Sequence, residues 1–215
     1  MSRFPLIVFD MDGVLVDSVP CHARAYRDLW TRINEPNGPD YSRIAGVRTV
    51  QVVREVTAHR NPSEAEIAEW VKFKSDRARE CLKGLQPFPD MMQSLEKLRA
   101  AGSRFAVGTG ASRATADLLL GQAGLDRFFP IVVTADDVTR GKPEPETFLL
   151  AITKSGGSPA ESLVVEDSEA GLAAGAAAGA FTASVRSGET IQHPRFLGSF
   201  PDVATLTGFL MEPNR

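Results

Sequence analysis

Leu6-Ile7-Val8-Phe9-Asp10-Met11-Asp12-Gly13 is an apolar run that ends abruptly at two carboxylates one residue apart. Four apolar residues, two of them β-branched, predict a short strand buried on both faces, as in a parallel sheet. Asp10 and Asp12 are two positions apart, so they are expected to emerge together at the strand's carboxyl end, where open α/β sheets bind ligands. Asp and Gly are also ordinary turn residues, but two like charges held so close need a cation or a shared proton. The pattern favours a functional site over a simple strand end.

Length, composition and charge are those of an ordinary globular protein. The 215 residues are 43% hydrophobic and 24% charged, which suffices for one domain or for a domain with an insert. A formal net charge of −3 with no concentrated Lys/Arg run gives no electrostatic footprint for nucleic acid. No apolar segment is long enough to span a bilayer, and the first residues lack the pattern of a signal peptide. We expect a cytoplasmic protein with no nucleic-acid or membrane partner, either monomer or homodimer.

The two cysteines bear on the redox compartment. Cys21 and Cys81 are far apart in the sequence and do not have the spacing of a metal site. The sequence is compatible with a disulfide between them, but we expect reduced thiols, as in most cytosolic proteins.

The chain changes its pattern near residue 86. Before it, residues 18–85 show apolar positions at helical spacing and little strand signal, with Ser63 and Glu66 fitting a capping box. After it, short apolar strands alternate with helices, which indicates a parallel sheet. The predicted fold is α/β: a Rossmann-like parallel-sheet core with helices on both faces (residues 1–17 and 86–215), plus a small helical cap domain inserted after the first strand (residues 18–85).

Small or charged residues follow three of the predicted strands, and one lysine lies in a Gly-Lys-Pro turn before a helix. These residues are Asp10, Asp12, Thr109, Glu166, Asp167 and Lys142. Taken singly, such residues are usually helix caps or solvated charges, but a parallel sheet brings them to one edge. Carboxylates without a His or Cys cluster select Mg²⁺. A metal ion would remove the repulsion that bars a carboxylate from attacking a phosphoryl group.

Four segments carry a family resemblance. Asp10-Met11-Asp12-Gly13-Val14, Thr109, Lys142 within Gly-Lys-Pro-Glu-Pro, and Glu166-Asp167-Ser168-Glu169-Ala170-Gly171 resemble, in order and spacing, the four motifs of the haloacid dehalogenase-like superfamily. The similarity is closest to its phosphoglycolate phosphatase and β-phosphoglucomutase branch and extends from about Leu6 to Val185.

The resemblance implies a role for each motif residue. Asp10 would be the nucleophile and a Mg²⁺ ligand, and Asp12 the general acid/base that also binds Mg²⁺ through its backbone carbonyl. Asp167 would bind the metal directly, and Glu166 directly or through water. The phosphoryl group would be held by Thr109, Lys142 and the N–H of Gly110.

The second carboxylate, Asp12, also bears on the reaction class. Dehalogenases of the superfamily lack it, because a carbon–halogen bond needs no leaving-group proton. The branch that cleaves carbon–phosphorus bonds needs a cap Lys, for which Lys72 and Lys74 are present, but the second Asp argues against that chemistry. The expected function is a Mg²⁺-dependent phosphatase for a small phosphorylated metabolite of the sugar-phosphate or phosphoglycolate type. A phosphomutase of the β-phosphoglucomutase type and a non-catalytic binding protein on the same fold are the alternatives.

Three residues of the insert are candidate substrate contacts. His22 matches a position where sugar-phosphate relatives often carry His, and Arg48 lies in a stretch that resembles the cap loop reaching into the site. An Arg there would grip a second anionic group. Lys74 corresponds to a Lys of relatives, although the Tyr that follows it one turn later is replaced here by Ala78. Asp90 stands where relatives commonly have Gly, and is expected to begin a helix.

Overall fold

The computed structural model describes residues 2–212, and its centre is a six-stranded parallel sheet. The strand order is β3-β2-β1-β4-β5-β6, so the first strand lies in the middle of the sheet. The strands are β1 (Leu6–Phe9), β2 (Arg104–Gly108), β3 (Ile131–Val133), β4 (Ser162–Glu166), β5 (Phe181–Val185) and β6 (Phe196–Phe200). Every residue of β1 is buried, as its uninterrupted apolar sequence predicts.

Strand register aligns the ends that carry the motif residues. Phe9 pairs with Val107 of β2 on one side and with Val165 of β4 on the other. Asp10 continues this alignment, since its N–H donates to the carbonyl of Val165 at 2.9 Å. The residues that follow β1, β2 and β4 therefore meet at one edge of the sheet.

Helices cover both faces of the sheet. They are α4 (Met91–Ala100), α5 (Arg113–Gln122), α6 (Glu146–Lys154), α7 (Glu169–Ala177) and α8 (Val203–Met211). Alternate residues of β1 serve the two sides: Ile7 and Phe9 belong to one apolar cluster, and Leu6 and Val8 to another. The predicted Rossmann-like core is confirmed.

Three helices lie between β1 and α4: α1 (Val19–Arg32), α2 (Thr49–Thr57) and α3 (Glu64–Leu82). We call residues 18–85 the helical insert. The insert has its own apolar cluster, which includes Trp30 and Trp70. The capping box at the start of α3 is confirmed, with Ser63 and Glu66 exchanging hydrogen bonds. No described helix has the length and apolar character needed to cross a membrane.

The two cysteines are oxidised in the structure, which contradicts the expectation of reduced thiols. Cys21 of α1 and Cys81 of α3 form a disulfide with their Cα atoms 5.5 Å apart. Sixty residues separate them in sequence, but α1 and α3 pack side by side and bring their ends together. Cys21 is buried, whereas Cys81 is exposed.

Two further features differ from the sequence-based expectation. Strand β6 was not predicted, because Gly198 interrupts a short run that follows a long irregular segment. Asp90 stands at the start of α4, as expected, but its side chain makes no capping hydrogen bond to that helix. It instead accepts hydrogen bonds from Arg186, at 2.6 Å, and from the backbone N–H of Val203 in the first turn of α8, at 2.9 Å.

Candidate active site

The two carboxylates after β1 lie at the same edge but in different surroundings. Asp10 is 5% exposed, and one of its oxygens accepts a hydrogen bond from the ammonium of Lys142 at 2.5 Å. Burial raises the pKa of Asp10 well above its usual value, and the charge of Lys142 only partly offsets that effect. Without a further cation, Asp10 is therefore an incompletely compensated buried acid.

Lys142 is the cation at the centre of this edge. Its side chain is fully buried, and its ammonium also donates to Glu166 at 2.5 Å. Burial alone would lower the pKa of Lys142, but the charges of Asp10 and Glu166 outweigh it and raise that pKa above its usual value. Lys142 is therefore charged and holds the ends of β1 and β4 together.

The N-terminus of α7 surrounds the other side of Glu166. The second oxygen of Glu166 accepts from the backbone N–H of Asp167 at 3.0 Å and of Ser168 at 3.1 Å, and from the Ser168 hydroxyl at 2.9 Å. A Cβ at Gly171 would overlap the Glu166 carboxylate, so glycine is required for this approach. Glu166 is thereby fixed in one orientation.

Three carboxylates form a cluster suited to a metal ion. One oxygen from each of Asp10, Glu166 and Asp167 lies within 4.8 Å of the others. Burial and the neighbouring charges of Glu166 and Asp10 raise the pKa of Asp167 to about 9. Close, mutually repelling oxygen donors without nitrogen or sulfur ligands fit a hard cation such as Mg²⁺. The residues present therefore fit the implied metal.

Asp12 faces away from that cluster. Its Oδ1 accepts from the Ser18 hydroxyl at 2.6 Å and lies 3.0 Å from His22 Nε2. Burial would raise the pKa of Asp12, but His22 and Ser18 outweigh it and lower that pKa to about 2. The Asp12 carboxylate is ionised in this state.

His22 is oriented in turn by Lys74 of α3. The ammonium of Lys74 donates to His22 Nδ1 at 3.0 Å, so Nε2 is the ring nitrogen that donates to Asp12. Burial lowers the pKa of Lys74 to about 8. Residues of two insert helices thus set the position and protonation of a residue on the sheet edge.

The helical insert roofs a cavity whose floor is the sheet edge. The floor includes Asp10, Asp12 and Asp167, together with the loop from Gly110 to Ser112. The roof is formed by residues of α1, α2 and α3 and of the segment between α1 and α2: His22, Tyr26, Tyr41, Gly46, Val47, Thr49, Lys74, Ser75 and Ala78. Residues of both parts therefore face any bound molecule.

Comparison with known proteins identifies the family. The haloacid dehalogenase-like hydrolase family matches the chain over residues 4–179. The chain is a haloacid dehalogenase-like hydrolase. It is 32% identical over 197 residues to a fructose-1-phosphate phosphatase of Escherichia coli (strain K12), covering 86% of this chain and 98% of that protein. It is 35% identical over 181 residues to hexitol phosphatase A of the same organism, covering 84% and 82%. The crystal structure of a hydrolase from Pseudomonas syringae superposes with a TM-score of 0.83 at 24% identity, covering 96% of this chain and 97% of that one.

The structure of this haloacid dehalogenase-like hydrolase brings seven of the predicted site residues together. Asp10, Asp12, His22, Lys74, Gly110 and Asp167 line the cavity, and Glu166 joins Asp167 and Asp10 in the carboxylate cluster. Lys142 and Thr109 lie just behind the surface: Lys142 reaches Asp10, and the Thr109 hydroxyl accepts from the N–H of Ala111 at 3.0 Å.

Arg48 does not lie where the sequence analysis expected it. Its guanidinium donates to the backbone carbonyl of Thr139 at 2.7 Å, and the residue lines a groove outside the cavity. The cause is a contact between the insert and the core: the Arg48 side chain crosses over Gly141, where a Cβ would lie 2.5 Å from its Cγ. A local motif does not reveal that long-range contact.

Several residues of the roof were not predicted as site residues, notably Tyr26, Tyr41 and Ser75. Tyr41 stacks on His22, with ring centroids 5.8 Å apart and planes inclined by 18°. Burial, followed by the charges of Asp12 and Asp167, raises the pKa of Tyr41 well above its usual value. Ser75 follows Lys74 directly, and that adjacency is the one sequence signal that could have indicated it.

Proposed function

We propose that this protein is a Mg²⁺-dependent phosphatase that hydrolyses a small phosphorylated metabolite through an aspartyl-phosphate intermediate at Asp10. The observation that carries the proposal is that two carboxylates two positions apart have different partners. Asp10 faces a lysine and the carboxylate cluster, whereas Asp12 faces Ser18 and His22. The two phosphatases to which the chain is similar support the same reaction class.

Asp10 is the nucleophile in this proposal. A Mg²⁺ ion held by Asp10, Glu166 and Asp167 would supply the positive charge that lets a carboxylate approach a phosphoryl dianion. Lys142 holds one oxygen of Asp10 and so orients the other for attack on phosphorus. The attack forms the Asp10–phosphate bond and breaks the bond to the substrate alcohol.

Asp12 transfers the protons. In the state described it is an ionised base, because its pKa is about 2. A phosphoryl dianion beside it raises that pKa through like-charge repulsion, so that the bound substrate favours the protonated acid. Asp12 then protonates the departing alcohol and later takes a proton from the water that attacks the aspartyl phosphate.

The loop after β2 would hold the phosphoryl oxygens in this proposal. The N–H of Gly110 and the hydroxyl of Thr109 are the proposed donors, as preorganised groups at the point where charge spreads over the oxygens. A Cβ at Gly110 would lie 3.1 Å from the carbonyl oxygen of Gly46, so the insert loop closes tightly over this donor. That closure would exclude water from the site during transfer.

The helical insert acts as a cap in this proposal, with residues 18–85 forming the cap and residues 1–17 and 86–215 the catalytic core. Residues 87 and 88 return to the core beside the loop that follows β1: Pro87 forms an isolated bridge with Val16, and the N–H of Phe88 donates to the carbonyl of Leu15 at 3.0 Å. The two connections of the insert thus lie next to each other, as a hinge requires.

The test is hydrolysis of p-nitrophenyl phosphate with and without Mg²⁺. We expect metal-dependent release of phosphate, and we expect Asp10→Asn to lower kcat by at least about 10³-fold, on the scale of nucleophile removal in other enzymes. Asp117→Asn, an exposed acid on α5, is the matched control and should keep full activity. Circular dichroism checks that both variants are folded. Full activity in Asp10→Asn would refute the assigned nucleophile.

A phosphomutase would share every step up to the aspartyl phosphate and differ only in the acceptor. The product distinguishes the two: a phosphatase releases inorganic phosphate from a sugar phosphate, whereas a mutase yields an isomer. A folded protein with no hydrolysis of the generic ester, with Mg²⁺ present, would instead favour a non-catalytic binding protein.

A further inference from the structure

One arginine of the core contacts both connections of the helical insert, residues 11–17 and 86–89. We infer that Arg186, anchored by Asp90, is a positioning residue for phosphoryl transfer: its guanidinium holds the two connections so that the insert stays closed over the sheet edge. The inference rests on the proposed function, in which the insert acts as a cap, and extends it to a residue outside the cavity. We call the four residues that make these contacts the hinge clasp: Val14, Phe88, Asp90 and Arg186.

Arg186 follows β5 directly and contacts each connection at a different residue. Its Nε donates to the backbone carbonyl of Val14, in the first connection, at 3.4 Å. Its guanidinium carbon lies over the ring of Phe88, in the second connection, 3.7 Å from the ring centre. A cation this close to the face of an aromatic ring is attracted to it. One side chain of the core therefore contacts the chain where it leaves for the insert and where it returns.

The two connections are also joined to each other beside these contacts. The N–H of Gly13 donates to the carbonyl of Val16 at 2.9 Å, so the first connection folds back on itself. Val16 in turn forms a bridge with Pro87 of the second connection. Any movement of the insert about these connections must change their backbone angles. Such a movement therefore displaces Val14 or Phe88 from the guanidinium.

Asp90 fixes the guanidinium from the other side. Its Oδ1 accepts from Arg186 Nη2 at 2.6 Å, and the side chains of this ion pair are only 16% and 17% exposed. Its Oδ2 accepts from the backbone N–H groups of Val203 and Ala204, at 2.9 and 3.2 Å, in the first turn of α8. Asp90 and α8 both belong to the core. The ion pair thus keeps the guanidinium in one place, whatever the position of the insert.

The backbone of Arg186 has a conformation that favours glycine. Its φ is +68°, in the left-handed region, and its N–H donates to the carbonyl of Phe200 at 3.0 Å. A residue with a Cβ adopts this region at a conformational cost, and such positions are concentrated at functional sites. The contacts of the side chain, which are those of the hinge clasp, account for an arginine at this position.

A purely structural role is the competing explanation. The ion pair would then serve only to attach α8 to the core, since Asp90 accepts hydrogen bonds from the first turn of that helix. This explanation accounts for Asp90 but not for the contacts of Arg186 with Val14 and Phe88, which lie outside α8. The two roles predict different results for substitutions in the clasp.

The first test removes the clasp without straining the backbone. Glycine adopts a φ of +68° freely, so Arg186→Gly deletes the side chain and relieves the backbone. We expect kcat/KM on p-nitrophenyl phosphate with Mg²⁺ to fall about tenfold, because the loss of a charged hydrogen bond leaves a smaller fraction of the protein in the active arrangement. Arg99→Ala is the matched control: Arg99 of α4 pairs with Glu96 and lies over the ring of Phe128. Its activity should stay within about twofold.

The second test, Asp90→Asn, separates anchoring of the guanidinium from attachment of α8. The amide oxygen of Asn still accepts from the first turn of α8, but the NH₂ group faces Arg186 as a second donor. As a member of the clasp, this variant should lose as much kcat/KM as Arg186→Gly. The double variant should lose no more than either single one, because the two residues act as a unit. Full activity in Asp90→Asn, or losses that multiply in the double variant, would overturn the inference.

The third test measures the position of the insert without reference to activity. Gln51 of α2 and Glu144 of the core line the same groove between the two parts. The chain's own two cysteines form a disulfide, so cysteines introduced at these positions take spin labels selectively. Electron paramagnetic resonance should show the ratio of close to separated labels falling about tenfold in Arg186→Gly and unchanged in Arg99→Ala. An unchanged ratio in Arg186→Gly would overturn the inference.

The failure of this inference is distinguishable from the failure of the proposed function. No hydrolysis of p-nitrophenyl phosphate by the protein without substitutions would refute the phosphatase, and the label distances would still decide the role of the hinge clasp. Hydrolysis at equal rates by that protein and by Arg186→Gly would overturn the clasp and leave the phosphatase proposal standing. A loss in Arg186→Gly that merely matches its unfolded fraction, measured by circular dichroism, would show a structural role and would also overturn the inference.

Discussion

The edge of the sheet and the helical insert face each other across one cavity, but different physical constraints place their residues. At the sheet edge, strand register alone brings Asp10 beside Glu166, because β1 and β4 are paired neighbours. In the insert, side chains reach the cavity or miss it according to contacts with distant residues, as Arg48 does through Thr139. The comparison teaches that a motif at the end of a strand is enough to predict where its side chains lie. The positions of side chains on an insert also depend on how the insert packs against the core. The following experiments test this contrast.

The largest effect is expected at the boundary between the two regions, in Asp12→Asn. Loss of the general acid/base should lower kcat by about 10²–10⁴-fold. The p-nitrophenolate leaving group needs little help from an acid, so the variant should release about one equivalent of it in a burst and then stall, since no base activates the water. Stopped-flow absorbance measures the burst. A steady rate with no burst would place the slow step before the aspartyl phosphate.

The next largest effect is on stability, in Lys142→Ala. The substitution leaves Asp10 and Glu166 buried without their shared cation, which should lower the free energy of unfolding by about 3–5 kcal/mol. Urea denaturation in the presence of a chelator measures it without rescue by metal. Lys72→Ala removes an exposed i,i+4 ion pair on the insert and serves as the control with no measurable change. Equal stability of the two variants would contradict the central role of Lys142.

The disulfide should stabilise the insert more than the core. It closes a loop of 60 residues that spans nearly the whole insert, so replacing both Cys21 and Cys81 by Ala should lower the free energy of unfolding by about 2–4 kcal/mol. Trp30 and Trp70, the chain's two tryptophans, both lie in the insert. Their fluorescence should therefore report unfolding at lower urea than the circular dichroism of the sheet. Coincident transitions, unchanged from the oxidised protein, would contradict this prediction.

The smallest effect concerns the coupling of Mg²⁺ to pH at the sheet edge. The pKa of Asp167 is raised to about 9, first by burial and then by Glu166 and Asp10. With this raised pKa, the folded, metal-free protein holds the Asp167 proton more tightly than the unfolded chain does. The proton therefore stabilises the fold at low pH, and that stabilisation is lost as the pH rises towards 9. Mg²⁺ binds the deprotonated form, so its apparent affinity should rise by up to about tenfold per pH unit between pH 6 and 8. Titration calorimetry measures it; a pH-independent affinity would contradict the raised pKa.

Much of the core could be predicted from the sequence, for reasons visible at particular residues. The all-apolar run from Leu6 to Phe9 indicated a central buried strand, and the alternation after residue 86 indicated the parallel sheet; the structure confirms both. The sixth strand could not be predicted, because its pairing depends on β5. Its own five residues, interrupted by Gly198, show no clear alternation of buried and exposed positions.

The insert was harder to predict because its decisive contacts span long sequence separations. The packing of α1 on α3 joins Cys21 to Cys81 and Lys74 to His22, across 60 and 52 residues. Similarly, the side chain of Asp90 meets Arg186 across 96 residues rather than capping the helix that begins beside it. None of these pairings leaves a periodic signal in the chain.

Chemical identification of the phosphorylated residue tests the central claim most directly. The Asp12→Asn variant is mixed with p-nitrophenyl phosphate and Mg²⁺, quenched with acid and reduced with borohydride, which converts an aspartyl phosphate to homoserine. Peptide mass spectrometry should find that conversion at Asp10, in a yield that matches the burst of p-nitrophenolate. Conversion at another residue would contradict Asp10 as the nucleophile. So would turnover by the protein without substitutions if no acyl phosphate were found in it or in Asp12→Asn.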